Sequence, residues 1–225
     1  MRKKEQRSNT LKKIYKLFAP KEMISIPCFT MGKGYEYNFE DFNPDYERVV
    51  EIYNAWGSSE CTAKEGNPRP ISCEGRKGVK EFAKGSIQGA LRKGRRFGFV
   101  AGGLDDRGVY QGFTEGEQRQ YSPGLTAIVA EKYTREALFQ ALQRRACYAT
   151  TGARIILGFQ LAGAPMGGEL NTEEKMGLKV NRHISGFVAG TTPLKSIELI
   201  RCGEVITTFE VQAGQTELEF TYDDL

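Results

Sequence analysis

Histidine is almost absent: His183 is the only one in 225 residues. A single imidazole excludes an HExxH helix, a three-histidine zinc centre and any two-histidine constellation built from this chain alone. One histidine, read as an ordinary strand residue, also argues against a Ser-His-Asp hydrolase. No GxSxG, GxxxxGK(S/T) or GxGxxG motif occurs, so there is no nucleophile elbow, P-loop or dinucleotide fingerprint. The cysteines Cys28, Cys61, Cys73, Cys147 and Cys202 are odd in number and contain no CxxC. They give neither a disulfide framework nor a zinc ribbon and fit a reducing compartment. No apolar run reaches the roughly 20 residues of a membrane helix, and the first residues have no apolar core of a secretion signal. The expectation is a cytoplasmic protein with no membrane attachment. The net charge of +4, from 32 basic and 28 acidic side chains, is too small to indicate a specific nucleic-acid partner.

What remains is the composition of a folded chain, 40% hydrophobic and 27% charged, long enough for one large or two small cores. The basic excess gathers at the start, in Arg2, Lys3, Lys4, Arg7, Lys12, Lys13 and Lys16. Such an arm either touches anions or is a solvated terminus.

Apolar spacing after Thr10 predicts a helix through Phe18, closed by Pro20. Met23 to Pro27 and Arg48 to Trp56 read as strands, Val79 to Arg92 as a helix, and Phe97 to Ala101 and Leu125 to Ala130 as strands. Thr134 caps the clearest helix, Arg135 to Arg145. Beyond Arg154 the runs shorten and alternate: Ile155 to Leu161, Leu178 to Ala189, Ser196 to Ile200, Val205 to Val211 and Glu217 to Tyr222. This pattern predicts antiparallel β structure. A boundary is placed near residue 153, between an α/β unit over 1–153 and a β-sandwich-like appendage over 154–225. Alternating strands and helices in the first unit suggest βα repeats, whose working residues stand past the strand ends.

Three such ends carry chemistry. Cys28 is a thiolate metal ligand or a small buried hydrophobe. Glu51 lies inside an apolar strand, where a carboxylate needs a partner, a metal or solvent, and Asn54, Trp56, Ser58 and Glu60 follow it in one turn. Asp105, Asp106 and Arg107 follow the next strand, as cation ligands or as a local turn with a paired arginine. His183 reads as an ordinary strand residue.

Several strings resemble an uncharacterised bacterial family related to the polymerase-and-histidinol-phosphatase (PHP) metallophosphoesterases. They are Phe97-Gly-Phe-Val-Ala-Gly-Gly-Leu-Asp105-Asp106-Arg107, Ser122-Pro-Gly-Leu-Thr-Ala127, Thr134-Arg-Glu-Ala-Leu-Phe139 and Cys147-Tyr-Ala-Thr-Thr-Gly152. Val50-Glu-Ile-Tyr-Asn54 with Trp56-Gly-Ser-Ser-Glu60 fits the same family. The similarity runs over residues 10 to 225 and looks like the family's C-terminal portion. It implies a partial, distorted (β/α) barrel of PHP type followed by a small antiparallel β domain. It also implies divalent metal (zinc, manganese or iron) held by Cys28, Glu51, Asp105 and Asp106, and phosphoester hydrolysis by metal-activated water.

The departures are large. The family's opening His-x-His pair has no counterpart, and Cys28 and Arg107 stand where histidines are expected. Arginine offers no lone pair and repels a cation by about 4 kcal/mol per charge pair at 4 Å in an effective dielectric near 20. The expectation is therefore a PHP-related protein with an incomplete metal site and weak or absent hydrolase activity. A binding module for phosphorylated or acidic ligands, using Arg107, Arg95, Arg96 and Lys33, is the alternative, with Asn54, Trp56, Ser58 and Glu60 beside it. A third reading is an active hydrolase completed by ligands from another subunit. An opened barrel also predicts self-association or a separately encoded N-terminal half.

Overall fold

The computed structural model describes residues 11–73, 79–104 and 121–225. After the helical residues 11–15, the chain lays down β1 (Val49–Asn54) and the short β2 (Gly57–Ser58). α1 (Ile87–Arg92), β3 (Gly98–Ala101), β4 (Leu125–Ile128), α2 (Arg135–Gln143) and β5 (Cys147–Thr150) follow. β6 (Ile156–Leu161), β7 (Ala164–Pro165), β8 (Arg182–Ala189), β9 (Ser196–Arg201), β10 (Glu204–Glu210) and β11 (Glu217–Asp224) complete it.

The expected α/β barrel is not what forms. The strands make four small sheets, ordered β2-β1-β3, β4-β5, β11-β8-β6-β7 and β10-β9, with no closed barrel among the described residues. Among the described strands β1 and β3 pair in parallel, and the other strand pairings, β4 with β5 included, are antiparallel. A barrel needs successive parallel strands joined by helices, and this architecture supplies a single such crossover. The protein is β-rich.

Two local expectations fail for separate reasons. Met23 to Pro27 is extended but not a strand. It touches its neighbours through Ser25 N–H to Tyr46 O and Glu51 N–H to Pro27 O, and Pro27 has no N–H to continue a ladder. Val79 to Arg92 yields a 3-10 turn at Ala83–Gly85 and only the six residues of α1. Gly85 and Gly89 weaken the helix, and Ser86 restarts it as an N-cap, accepting from Gly89 N–H. α2 forms as its sequence predicts, with the Thr134 side chain accepting from Ala137 N–H.

β1 is the centre of the first layers, with Val49 and Val50 fully buried, each contributing about 1.5–3 kcal/mol by burial. Val50 joins Phe39, Phe42, Ile87, Ala90 and Phe97 on one side, while Val49 joins Val100 and Cys147 on the other. This is the pattern of a strand covered on both faces. Alternation governs the later strands. Ile184, Val188 and Phe220 face inward, and Ile197, Leu199 and Phe209 of the β9–β10 hairpin pack against them.

Candidate functional site

Glu51 stands near the carboxyl end of the parallel pair, opposite Val100. Its Oε1 accepts from Asn54 Nδ2 at 2.7 Å and from Phe29 N–H at 3.3 Å. Oε2 faces Gly102, where an added Cβ would come within 3.1 Å of it. Burial pushes the Glu51 carboxyl up, against the lowering effect of those two donors. Cys28 is exposed beside it, and its thiol is raised first by desolvation and then by the Glu51 charge. Phe29, which donates its N–H to Glu51, has φ 51°, a backbone region that is costly for such a residue. Cys28, Glu51 and Asn54 are thus brought together.

The remaining residues of that turn are committed elsewhere. Trp56 packs on the Phe29–Met31–Ile71 cluster. Ser58 is buried and its hydroxyl accepts from Glu60 N–H. Glu60 faces α1, receiving Gln88 Nε2 at 3.4 Å. Asp105, Asp106 and Arg107 lie outside the described residues. Among the described residues no three His, Cys, Asp or Glu side chains converge as metal ligands. His183, on β8, lies with Nδ1 2.8 Å from Asp223 Oδ1.

Two features escaped sequence reasoning. The first is Glu47, only 1% exposed. It accepts from the Tyr15 and Tyr37 hydroxyls at 2.9 and 2.5 Å and from Asn43 N–H at 3.2 Å. Burial raises its carboxyl despite these donors. The second is a groove of about 1500 Å³ between the β4–α2–β5 layer and the outer face of the sheet β11-β8-β6-β7.

At one end of the groove Arg145 follows α2 with φ 61°, the left-handed position where helices ordinarily place glycine. Its guanidinium donates to Gly167 O and, at 2.6 Å, to Glu169. Gly167, itself at φ 86°, has no room for a side chain: a Cβ would come within 2.3 Å of Arg144 O. Arg96 reaches the same carboxylate at 3.4 Å. Arg48 donates to Gln143 O and Pro44 O, and its guanidinium is shifted down by burial and then by the charge of Arg145. Arg145 and Arg96 therefore share one carboxylate, and Arg48 lies close enough to feel the charge of Arg145. Of the other cations named from sequence, Arg95 lies over the Phe42 ring at 5.7 Å, with no hydrogen-bond partner for its buried Nε among the described residues. Lys33 is exposed.

Residues 103–177 match the model of a family described as "Protein of unknown function (DUF3604)"; the described part of that stretch supplies much of the groove wall. The chain is 54% identical over 222 residues to an uncharacterized protein of Chlamydia pneumoniae, a match covering 99% of this chain and 35% of that protein. It is 53% identical over 224 residues to one of Chlamydia trachomatis, again 99% of this chain and 35% of the relative. The chain thus spans about a third of the length of the curated relatives it matches. No solved structure gives a significant match. No helix among the described residues is long and apolar enough to cross a membrane.

Proposed function

We propose that the chain is a binding module for an acidic or phosphorylated ligand, taken at the arginine-rich end of the groove. The observation that carries this is that Arg145 and Arg96 both reach the Glu169 carboxylate, at 2.6 and 3.4 Å, while Arg48 lines the same end of the groove. Guanidinium groups crowded in this way repel one another, and an anion seated among them relieves the repulsion. Their planar forks match carboxylate and phosphate oxygens. The strings that resemble an uncharacterised bacterial family related to the PHP metallophosphoesterases, Cys147 to Gly152 among them, agree in ligand charge, since those related enzymes act on phosphorylated substrates. A metal-dependent phosphoester hydrolase would draw on Cys28, Glu51, Asp105 and Asp106, and only the first two fall within the described residues.

Calorimetry with inorganic pyrophosphate and with a phosphoserine peptide at low salt tests the proposal. Arg96→Ala and Arg48→Ala should each weaken binding about tenfold, the scale of one charge-assisted hydrogen bond, and added salt should weaken it further. Absence of binding, or equal affinity in both variants and the unaltered protein, refutes it.

A further inference from the structure

We infer that the occupant of the groove is a polypeptide segment, acidic at one end and apolar along its length, supplied by the chain that accompanies this unit in its longer relatives. The inference rests on the acidic-ligand reading for its charged end and adds the groove floor. One face of the sheet β11-β8-β6-β7 is covered by the β9–β10 hairpin. The other opens into the groove and bears Ile156, 59% exposed, and Phe187, 46% exposed; Val129, 52% exposed, stands on the facing wall. The Phe187 ring lies over Gly158, where a Cβ would come within 2.2 Å of it, so the aromatic is laid along the sheet.

A solvated sheet face is ordinarily polar, and large apolar residues along a groove mark a contact surface. The groove's 1500 Å³ exceeds the roughly 300–1,000 Å³ of small-molecule sites. Phosphate alone would satisfy the arginine end and leave Ile156 and Phe187 wet. Charge sets the direction of the segment. Its carboxylate belongs beside Arg48, which lines the groove, and near Arg96, which reaches the lining Glu169; its apolar side chains belong between Val129 and Phe187, and a neutral or basic residue near Glu219, which also lines the groove. The source is set by length. In the chlamydial relatives the matched stretch is 35% of the protein, so the same fold exists there beside much additional chain.

The test is to produce the part of the C. pneumoniae relative outside the matched stretch as a separate chain and titrate it into this protein by calorimetry. A complex is expected, weakened at least tenfold by Phe187→Glu and by Arg96→Ala, each variant first checked for native circular dichroism. As a second measurement, independent of whether the separate piece folds, hydrogen exchange in the intact relative should show β6 and β8 protected relative to this chain alone. No complex together with equal exchange overturns the inference, as does a complex indifferent to Phe187→Glu. Self-association abolished by Phe187→Glu would give the groove to a second copy and overturn it too. Retained pyrophosphate binding would then mark the failure as this inference's alone; its loss would sink the acidic-ligand reading as well.

Discussion

Glu47 and Asp224 are both carboxylates closed off from water, at 1% and 6% exposure, and the two ends of the molecule satisfy them in opposite ways. Glu47 receives neutral donors, two phenols and one backbone N–H. Its pKa stays raised, because hydrogen bonds without charge do not offset the desolvation of an anion. Asp224 receives two guanidinium groups, Arg182 Nε at 2.7 Å and Arg201 Nη1. Burial pushes its carboxyl up, but those arginines outweigh burial and hold it below the usual range. Charged partners secure a carboxylate at the rim of the antiparallel sheet. Both networks tie residues distant in sequence, Tyr15 to Glu47 over 32 positions and Arg182 to Asp224 over 42.

The largest effect should come from breaking the neutral network. Glu47→Ala removes the shared acceptor of two half-buried phenols and leaves a cavity at a fully buried position, and should lower unfolding free energy by about 3 kcal/mol, read by urea denaturation. Glu47→Gln, which keeps hydrogen-bonding capacity and drops the charge, should cost far less; equal losses would show that charge rather than bonding holds the site.

Next comes the alkaline limb. The Tyr15 phenol is raised from 10.0 to about 12, chiefly by burial. The folded state therefore keeps this proton longer than the unfolded chain. Its contribution is complete below pH 10 and is lost between 10 and about 12. Thermal midpoints across that window should fall less steeply in Tyr15→Phe, and identical slopes would remove Tyr15 from the account. The smallest effect belongs to Asp224. Its pKa is lowered, so its contribution is present above the ordinary value of 3.8 and is lost as pH falls through the folded value. Asp224→Asn should flatten the acid limb of the stability curve without altering the alkaline one.

Local signals were legible wherever one residue type decides one local feature. Thr134 capping α2 and the alternation of β8 and β11 are of this kind. β5 escaped notice because Cys147–Thr150 is short and is defined by its pairing with β4 rather than by its own pattern. The barrel expectation failed because strand-and-helix order does not fix strand direction, and β4 meets β5 antiparallel. At the site, Glu51 was visible as an acid in an apolar strand. Glu47 and Arg145 were not, since their partners Tyr15, Tyr37, Gly167 and Glu169 are neighbours only after folding. A left-handed arginine also leaves no mark in local periodicity.

The Tyr148 phenol donates to Ile155 O at 2.7 Å and accepts Leu157 N–H at 3.1 Å. One side chain of β5 thereby does for the start of β6 what a neighbouring strand would do. The connection over 151–155 is short, yet it is not a free joint: swinging the sheet away from the β4–β5 pair would break both bonds at once. The two walls of the groove are thus held together twice, by Tyr148 and by Arg145 on Gly167 O and Glu169, so a guest must fit the spacing those bonds set.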